Sequence, residues 1–320
     1  MTDASKSAYS HWSDYWASGA LTSLPQDFAG NYDGEVEQFW RQCFSRLSGR
    51  SDARMLDVCT GNGPIALLAA RWAEEAGQAL SIMAVDAATP NPGALIRTAR
   101  GIQDLLGRID FIASTPIEAL PFDEAEFDLI TSQYGIEYSD LSRSAPELAR
   151  VLKPGGELAV VTHGADSDMV ETMAREAEDY ALLRNSGALR LLGSWESGQL
   201  ADPDLVRRLE PVIRRLFEAA RRPGASPLLA QVGQSLLGLI RISAAERRAQ
   251  KSAISGFRRQ LLAGQARLED MLRVNRMIAE SDDWADALEA AGLEPVETAE
   301  LMYRGKHRMG RSRIWRRPLA

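Results

Sequence analysis

From Ala53 to His163 the chain alternates short, nearly continuous apolar runs with longer stretches in which apolar residues recur every three or four positions. The runs "ARMLDV" and "LSIMAVD" predict buried strands, and "GPIALLAARWAEEAG" between them predicts a helix that ends at a glycine. "RIDFIAS", "EFDLITS" and "GELAVVTHG" predict three further strands, and "LSRSAPELARVLKPGG" predicts a helix stopped by Pro154 and two glycines. Strands that alternate with helices build a parallel sheet covered on both faces, an α/β fold.

The rhythm changes after Gly164. Residues 165–280 carry almost no strand signal, only charged and apolar stretches such as "DPDLVRRLEPVIRRLFEAARRPG" that predict amphipathic helices, with a break near Pro223 to Pro227. The α/β rhythm returns with "SDDWADALEAAGLEPVETAELMY", where Ser281 is a candidate N-cap, a helix ends at Gly292 and a strand follows. "HRMGRSRIWRRP" predicts the closing strand. The organisation is thus an aromatic-rich N-terminal cap segment over 1–50 with a helix near Glu35 to Leu47, a core over 51–164 and 281–320, and a helical insertion over 165–280. The insertion is either a lid or a dimerisation layer, the latter implying a homodimer.

Composition narrows the function class. Among 320 residues the net charge is −7, so no excess of cations is available to displace counterions from nucleic acid. Two cysteines, Cys43 and Cys59, cannot build a disulfide framework and fit reduced thiols. No leader-like segment opens the chain and no run reaches the roughly 18 apolar residues of a membrane span, so a cytoplasmic location is expected. The cationic positions from Arg304 to Arg317 read as a solvated strand and tail. Three dispersed histidines, His11, His163 and His307, show no metal-ligand spacing, and no metal site is expected.

The chemistry concentrates in "LDVCTGNGPIALLAA", a strand ending in a glycine turn that opens a helix, which suits a nucleotide-like ligand. A phosphate-binding P-loop would need a lysine followed by Ser or Thr after the second glycine, and none is present. Gly61, Gly63 and Ala66 do match a dinucleotide fingerprint, with Asp86 near the place of a ribose-binding acid. Asp57 separates the cases. A carboxylate four residues before the first glycine repels a pyrophosphate but suits a cationic ammonium, the group that S-adenosylmethionine carries.

"LDVCTGNG", "MAVD", "EALPFDEAEFDLITSQ" and "ELARVLKPGGELAVV" together resemble the class I S-adenosylmethionine-dependent methyltransferases of the small-molecule type. The resemblance spans Ala53 to His163 and resumes from Ser281 to Pro318. It implies a Rossmann-like, doubly wound, mostly parallel seven-stranded sheet with the helical insertion between the fifth strand and the last core helix. It further implies that Asp57, Cys59, Gly61, Asn62 and Gly63 lie at the methionine part of the cofactor, with capping of turn amides as the alternative for Asp57. Asp86 is the ribose partner or the cap of the following helix. Many relatives have an acid ahead of "LPF" to receive the adenine amino group, and here Pro116 stands in its place. Adenine is then held by Thr115 or by backbone near Ile117.

Past the fourth strand, Ser132 and Gln133 are expected to line the methionine pocket, with Tyr134, Glu137 and Tyr138 on the acceptor side, or else to serve packing and capping. His163 sits where a strand end opens into the ligand crevice. Methyl transfer to an oxygen or protonated amine needs a proton removed, and His163 or Glu137 is the candidate base. The expected function is methylation of an oxygen or nitrogen on a small organic molecule, as in specialised metabolism. The alternatives are a methyltransferase for protein or RNA and a cofactor-binding regulator without catalysis.

Overall fold

The computed structural model describes residues 9–23, 28, 30–97, 102–164, 168–281 and 283–319. Residues 1–8 of the expected cap segment and 165–167 of the expected insertion lie outside the described residues. The chain divides into two compact units, one formed by Met1–Asp168 with Arg273–Ala320 and the other by Met169–Leu272.

The first unit contains all seven strands: β1 (Ala53–Val58), β2 (Leu80–Val85), β3 (Ile109–Ile112), β4 (Phe127–Gln133), β5 (Leu152–Thr162), β6 (Glu294–Tyr303) and β7 (His307–Arg316). They form one sheet in the order β3-β2-β1-β4-β5-β7-β6. Pairing is parallel from β3 through β5, and β7 then enters antiparallel between β5 and β6. This is the seven-stranded, mostly parallel sheet expected from the sequence. Strands covered on both faces are apolar almost throughout, which is why Leu56, Val58, Ile130, Leu158 and Val160 share one core cluster at 0 % exposure. Each such side chain contributes roughly 1.5–3 kcal/mol by burial. At the outer edge β6 presents the exposed Glu294, Glu297 and Glu300, charges that discourage pairing with another chain.

Five helices accompany the first five strands: α1 (Ser10–Ala17), α2 (Gly34–Ser45), α3 (Pro64–Ala76), α4 (Ile102–Leu106) and α5 (Leu141–Val151). Helix α3 starts after Gly63 in the left-handed region and stops at Gly77, also left-handed, as the "GNGP…AG" spacing demands. Helix α5 ends earlier than expected, at Val151 rather than at Pro154. The carbonyls of its last turn are taken by other partners: Ala125 N donates to Arg150 O at 2.9 Å and Glu126 N to Val151 O at 2.8 Å. The Arg317 guanidinium donates to the carbonyls of Ala149, Arg150 and Leu152 at 3.1, 3.0 and 2.6 Å. Pro154, Gly155 and Gly156 therefore belong to the opening of β5, opposite a register shift between Phe127 and Leu129.

The second unit is helical: α6 (Asp168–Ser186), α7 (Ala188–Glu196), α8 (Asp202–Ala219), α9 (Leu228–Arg241), α10 (Ala244–Ala249) and most of α11 (Lys251–Glu280). The break between α8 and α9 falls around Pro223 to Pro227. Arg247, 5 % exposed, pairs with both carboxylate oxygens of Asp202 at 3.0 and 2.7 Å and donates to the Leu239 and Ile242 carbonyls, closing the end of α9.

Two C-terminal expectations need correction. In place of one helix capped by Ser281 there is a 3-10 turn, Asp283–Ala285, then the short α12 (Asp286–Ala290), whose N-cap position is Ala285 without a side-chain cap. The turn buries Trp284 against Trp315, with ring centroids 6.4 Å apart, so packing overrides the local capping signal. The cationic stretch is solvated only in part: Arg304, Lys306, Arg308 and Arg316 are exposed, as expected, but others are drawn inward. Arg313 is buried over the Trp284 ring at 5.0 Å and reaches Thr162 Oγ1, Arg316 pairs with Glu157 at 2.7 Å, and Arg317 closes α5.

Candidate cofactor and acceptor site

Strand order reverses between β1 and β4, and the crevice outside their carboxyl ends is where such sheets bind ligands. The chain leaves β1 through Cys59, Gly61 and Gly63, all at positive φ (55°, 55° and 83°). Glycine takes that conformation without steric cost, whereas Cys59 holds it under a strain of roughly 1–3 kcal/mol. Two backbone bonds fix the turn, Thr60 N to Val85 O at 3.0 Å and Gly63 N to Thr60 O at 2.9 Å. Helix α3 begins at once, so its first N–H groups face the crevice.

Asp57 is 1 % exposed and accepts from Thr60 Oγ1 at 2.6 Å and Thr131 Oγ1 at 2.7 Å. Burial pushes its pKa up to about 7 against these hydroxyls, which favour the charged form. Among the described residues no cation pairs with it, so the site is built for an acid that lacks its counter-charge. Asp86, also buried, accepts from Gly61 N at 2.7 Å and Ala88 N at 2.8 Å, tying the β1 turn to the segment after β2. Burial raises its pKa as well, against those two amides. Each oxygen keeps a lone pair beyond its amide bond. The Cys59 thiol is pushed well up, by burial first and then by Asp86 and Glu137, and stays protonated.

The other candidates divide between crevice and core. Thr115 N donates to Asp86 O at 2.8 Å, which holds the segment after β3 beside Asp86. Pro116 follows half-buried, but the Ile117 side chain packs into the core, leaving only its backbone for a ligand. Asn62 spends its carboxamide within the protein, donating to the carbonyls of Trp16 and Ala20 and accepting from Asn91 N. Ser132 Oγ accepts from Ile136 N at 3.2 Å, and Gln133 Oε1 accepts from the Trp40 indole at 2.5 Å. Both side chains shape the turn after β4 from within.

That turn brings the acceptor-side candidates together. Glu137, 1 % exposed, lies in the 3-10 turn Ile136–Tyr138, and His163, 2 % exposed, follows β5. Glu137 Oε1 accepts from His163 N at 3.1 Å and sits 2.7 Å from His163 Nδ1. An oxygen that already accepts from an amide accepts from Nδ1–H too, which assigns a proton to Nδ1. The second carboxylate oxygen of Glu137 is buried without a hydrogen-bond partner. The rings of Tyr134 and Tyr138 lie 4.7 and 5.7 Å from that of His163. The Tyr134 hydroxyl donates to Met309 O at 2.8 Å.

Residue-type reasoning missed four contributors. Thr60 and Thr131 are the partners of Asp57; a hydroxyl three residues after the acid was a readable signal, and the one on β4 was not. Gly135 lets the two turns touch, since a Cβ there would collide with Cys59. Gly310 on β7, at φ 139°, lets the backbone meet Thr162 and Gly164 beside His163. Among the described residues no group of three or more His, Cys, Asp or Glu side chains is arranged to hold a metal, and no helix is long and apolar enough to cross a membrane.

The model of the ubiE/COQ5 methyltransferase family matches residues 34–188. Curated relatives include the ubiquinone/menaquinone biosynthesis C-methyltransferase UbiE of Pseudomonas entomophila (strain L48), 28 % identical over 158 residues that cover 49 % of this chain and 60 % of that protein. The enzyme of the same name from Edwardsiella ictaluri (strain 93-146) is 26 % identical over 180 residues, 53 % of this chain and 70 % of that one. The chain thus spans about 60 % of the length of the first of these relatives. Among solved structures, the [4+2]-cyclase SpnF aligns with a TM-score of 0.47 at 16 % identity, over 98 % of this chain and 93 % of that one. The geranyl diphosphate C-methyltransferase of Streptomyces coelicolor A3(2) aligns at 0.35 and 16 % identity, over 51 % and 65 %. With an acid and two glycines at the switch point of a seven-stranded sheet, and a methyltransferase family model matched over residues 34–188, just under half of the chain, this chain is similar to the class I S-adenosylmethionine-dependent methyltransferases.

Proposed function

We propose that the chain methylates a small organic acceptor bearing an ionisable hydroxyl, and that His163 takes the hydroxyl proton. The observation that carries this reading is the buried Glu137–His163 pair, 2.7 Å apart at the carboxyl ends of β4 and β5. The cofactor fits the other half of the site. Asp57 faces the ammonium group, Asp86 the ribose hydroxyls, and Thr115 with the backbone of Pro116 and Ile117 the adenine. When bound, S-adenosylmethionine supplies a methyl carbon activated by positive sulfur, and alignment is the main demand left to the protein.

The acceptor O–H bond breaks and its proton moves to His163 Nε2, while the Nδ1–H bond to Glu137 holds the ring and stabilises the imidazolium that forms. A base so positioned contributes typically 10²–10⁴ in rate. Ionising the hydroxyl raises the electron density of the oxygen and of any carbon conjugated to it; when that carbon takes the methyl from sulfur, its C–H proton leaves to solvent and the proton held on His163 restores the hydroxyl. The relatives' names are those of C-methyltransferases, which supports a conjugated carbon over the oxygen or nitrogen expected from sequence. The burial of the pair supports a small acceptor over a protein or RNA.

Calorimetric titration with S-adenosylmethionine and with NAD tests the cofactor. Incubation with methyl-labelled cofactor and a metabolite extract, followed by analysis of the labelled product, tests the acceptor. Binding of NAD alone would end the reading. A labelled product without a hydroxyl beside the new methyl would remove the role of His163.

A further inference from the structure

Helix α1 lies across the glycine turn. The indole edge of Trp16 rests against Gly61 so closely that a Cβ there would stand 2.5 Å from one ring carbon and 2.7 Å from the next. The contact is held by a latch: the fully buried Asn62 carboxamide donates to Trp16 O at 2.9 Å and Ala20 O at 2.7 Å, and accepts from Asn91 N at 2.8 Å. A second tie runs from Thr89 N to Ser13 Oγ at 3.0 Å. Both ties reach the segments after β1 and β2, the segments that carry Gly61 and Asp86.

One helical turn earlier, Trp12 occupies the same face as Trp16, the two rings stacked at 6.2 Å and 23°. Trp12 meets Tyr138 edge to face at 5.6 Å, and Tyr138 in turn meets His163. One face of α1 therefore runs from the cofactor turn to the base. The helix has only eight residues and no side-chain N-cap. A helix this short does not stand alone in water, so it persists through docking, and docked elements of this kind open at low free energy.

We propose that α1 is the roof of the cofactor site, that Trp16 contacts the cofactor beside Gly61, and that the helix lifts to admit the cofactor and closes on it. This rests on the cofactor assignment above. The Asn62 latch joins the roof to the turn that binds, so a ligand seated on the turn favours the closed position by its differential contact with Trp16. In the same movement Trp12 closes the acceptor side and keeps water from His163.

The test uses the full chain and S-adenosylhomocysteine, the unreactive thioether product. Hydrogen exchange across residues 10–20 should slow at least tenfold when this ligand saturates the protein, a measurement that needs no variant. In stopped-flow binding, Trp16→Ala should speed dissociation about tenfold, and Trp16→Phe should restore most of the loss because an aromatic ring is what the contact requires. Binding with unchanged exchange over 10–20 and an unchanged dissociation rate in Trp16→Ala overturns the roof and leaves the proposed function standing. No binding of S-adenosylhomocysteine to the unmodified chain overturns both.

Discussion

The proposed pairing of Asp57 with the cofactor's ammonium group predicts a cofactor affinity that depends on pH. With its pKa pushed up to about 7 by burial, Asp57 is about one-tenth ionised at pH 6 and about half ionised at pH 7. An ammonium group binds the ionised form. The α-amino group of the cofactor, with an ordinary pKa of about 7.7–8.0, loses its own charge on the other side. Multiplying the two charged fractions gives an affinity that rises about sixfold from pH 6 to a maximum near pH 7.4 and falls again above about pH 8. Proton exchange follows the same arithmetic. Binding should release about three-quarters of a proton at pH 6.5 and close to none at pH 7.4. Calorimetry in buffers of different ionisation enthalpy reads both quantities, and Asp57→Asn should flatten the acid limb while keeping the alkaline one. Wild-type affinity that stays level between pH 5.5 and 7.4, without proton release, would refute the pairing of Asp57 with an ammonium.

The same shift bears on stability without ligand. A carboxyl whose pKa is higher in the folded chain opposes folding progressively as pH rises from its ordinary value to about 7. The full cost is on the order of 4 kcal/mol above that window, so Asp57→Asn should raise the thermal midpoint at pH 8 and change it little at pH 4. His163→Ala should lower turnover by about 10²–10⁴ and leave the cofactor dissociation constant within twofold; equal losses in both would make the residue structural. Gly310→Ala should destabilise the chain by more than about 3 kcal/mol in denaturant titration, because the new Cβ meets the Thr162 carbonyl at a backbone angle that disfavours alanine. Arg247→Ala should destabilise the helical unit, because the buried guanidinium that closes the end of α9 against Asp202 and the Leu239 and Ile242 carbonyls is lost, seen as earlier melting of that unit.

Periodicity made the sheet legible. β1 and β4 are buried along almost their whole length and carry short apolar runs, and the glycines at 61, 63 and 77 mark where the backbone turns left-handed. Local signals failed where a distant segment decided the outcome. The end of α5 is set by Arg317, far along the chain, and the turn at Trp284 by the burial of its ring against Trp315. In the candidate site, Asp57 and His163 stand out in the sequence as an acid and a histidine at strand ends, and Glu137 as an acid in the turn after β4. The proton assignment on His163 was not readable, since it depends on an amide and a carboxylate meeting across two strands. The cationic stretch was legible only in part: four of its seven side chains are exposed, while Arg313 is buried because β7 runs between two other strands.

The position of β7 has a consequence for biosynthesis. Its partner β5 is finished long before it: Glu157 waits for Arg316, 159 residues later, and the whole helical unit is synthesised in between. Until then the nascent chain carries an apolar strand with one edge unpaired, the kind of surface that recruits other chains. Closing a loop of this length also slows the last step, since pairing distant in sequence must overcome the entropy of the intervening chain. The hairpin that completes the sheet is thus the last to arrive, and the yield of folded protein depends on how well the β5 edge is shielded while the ribosome is still at work.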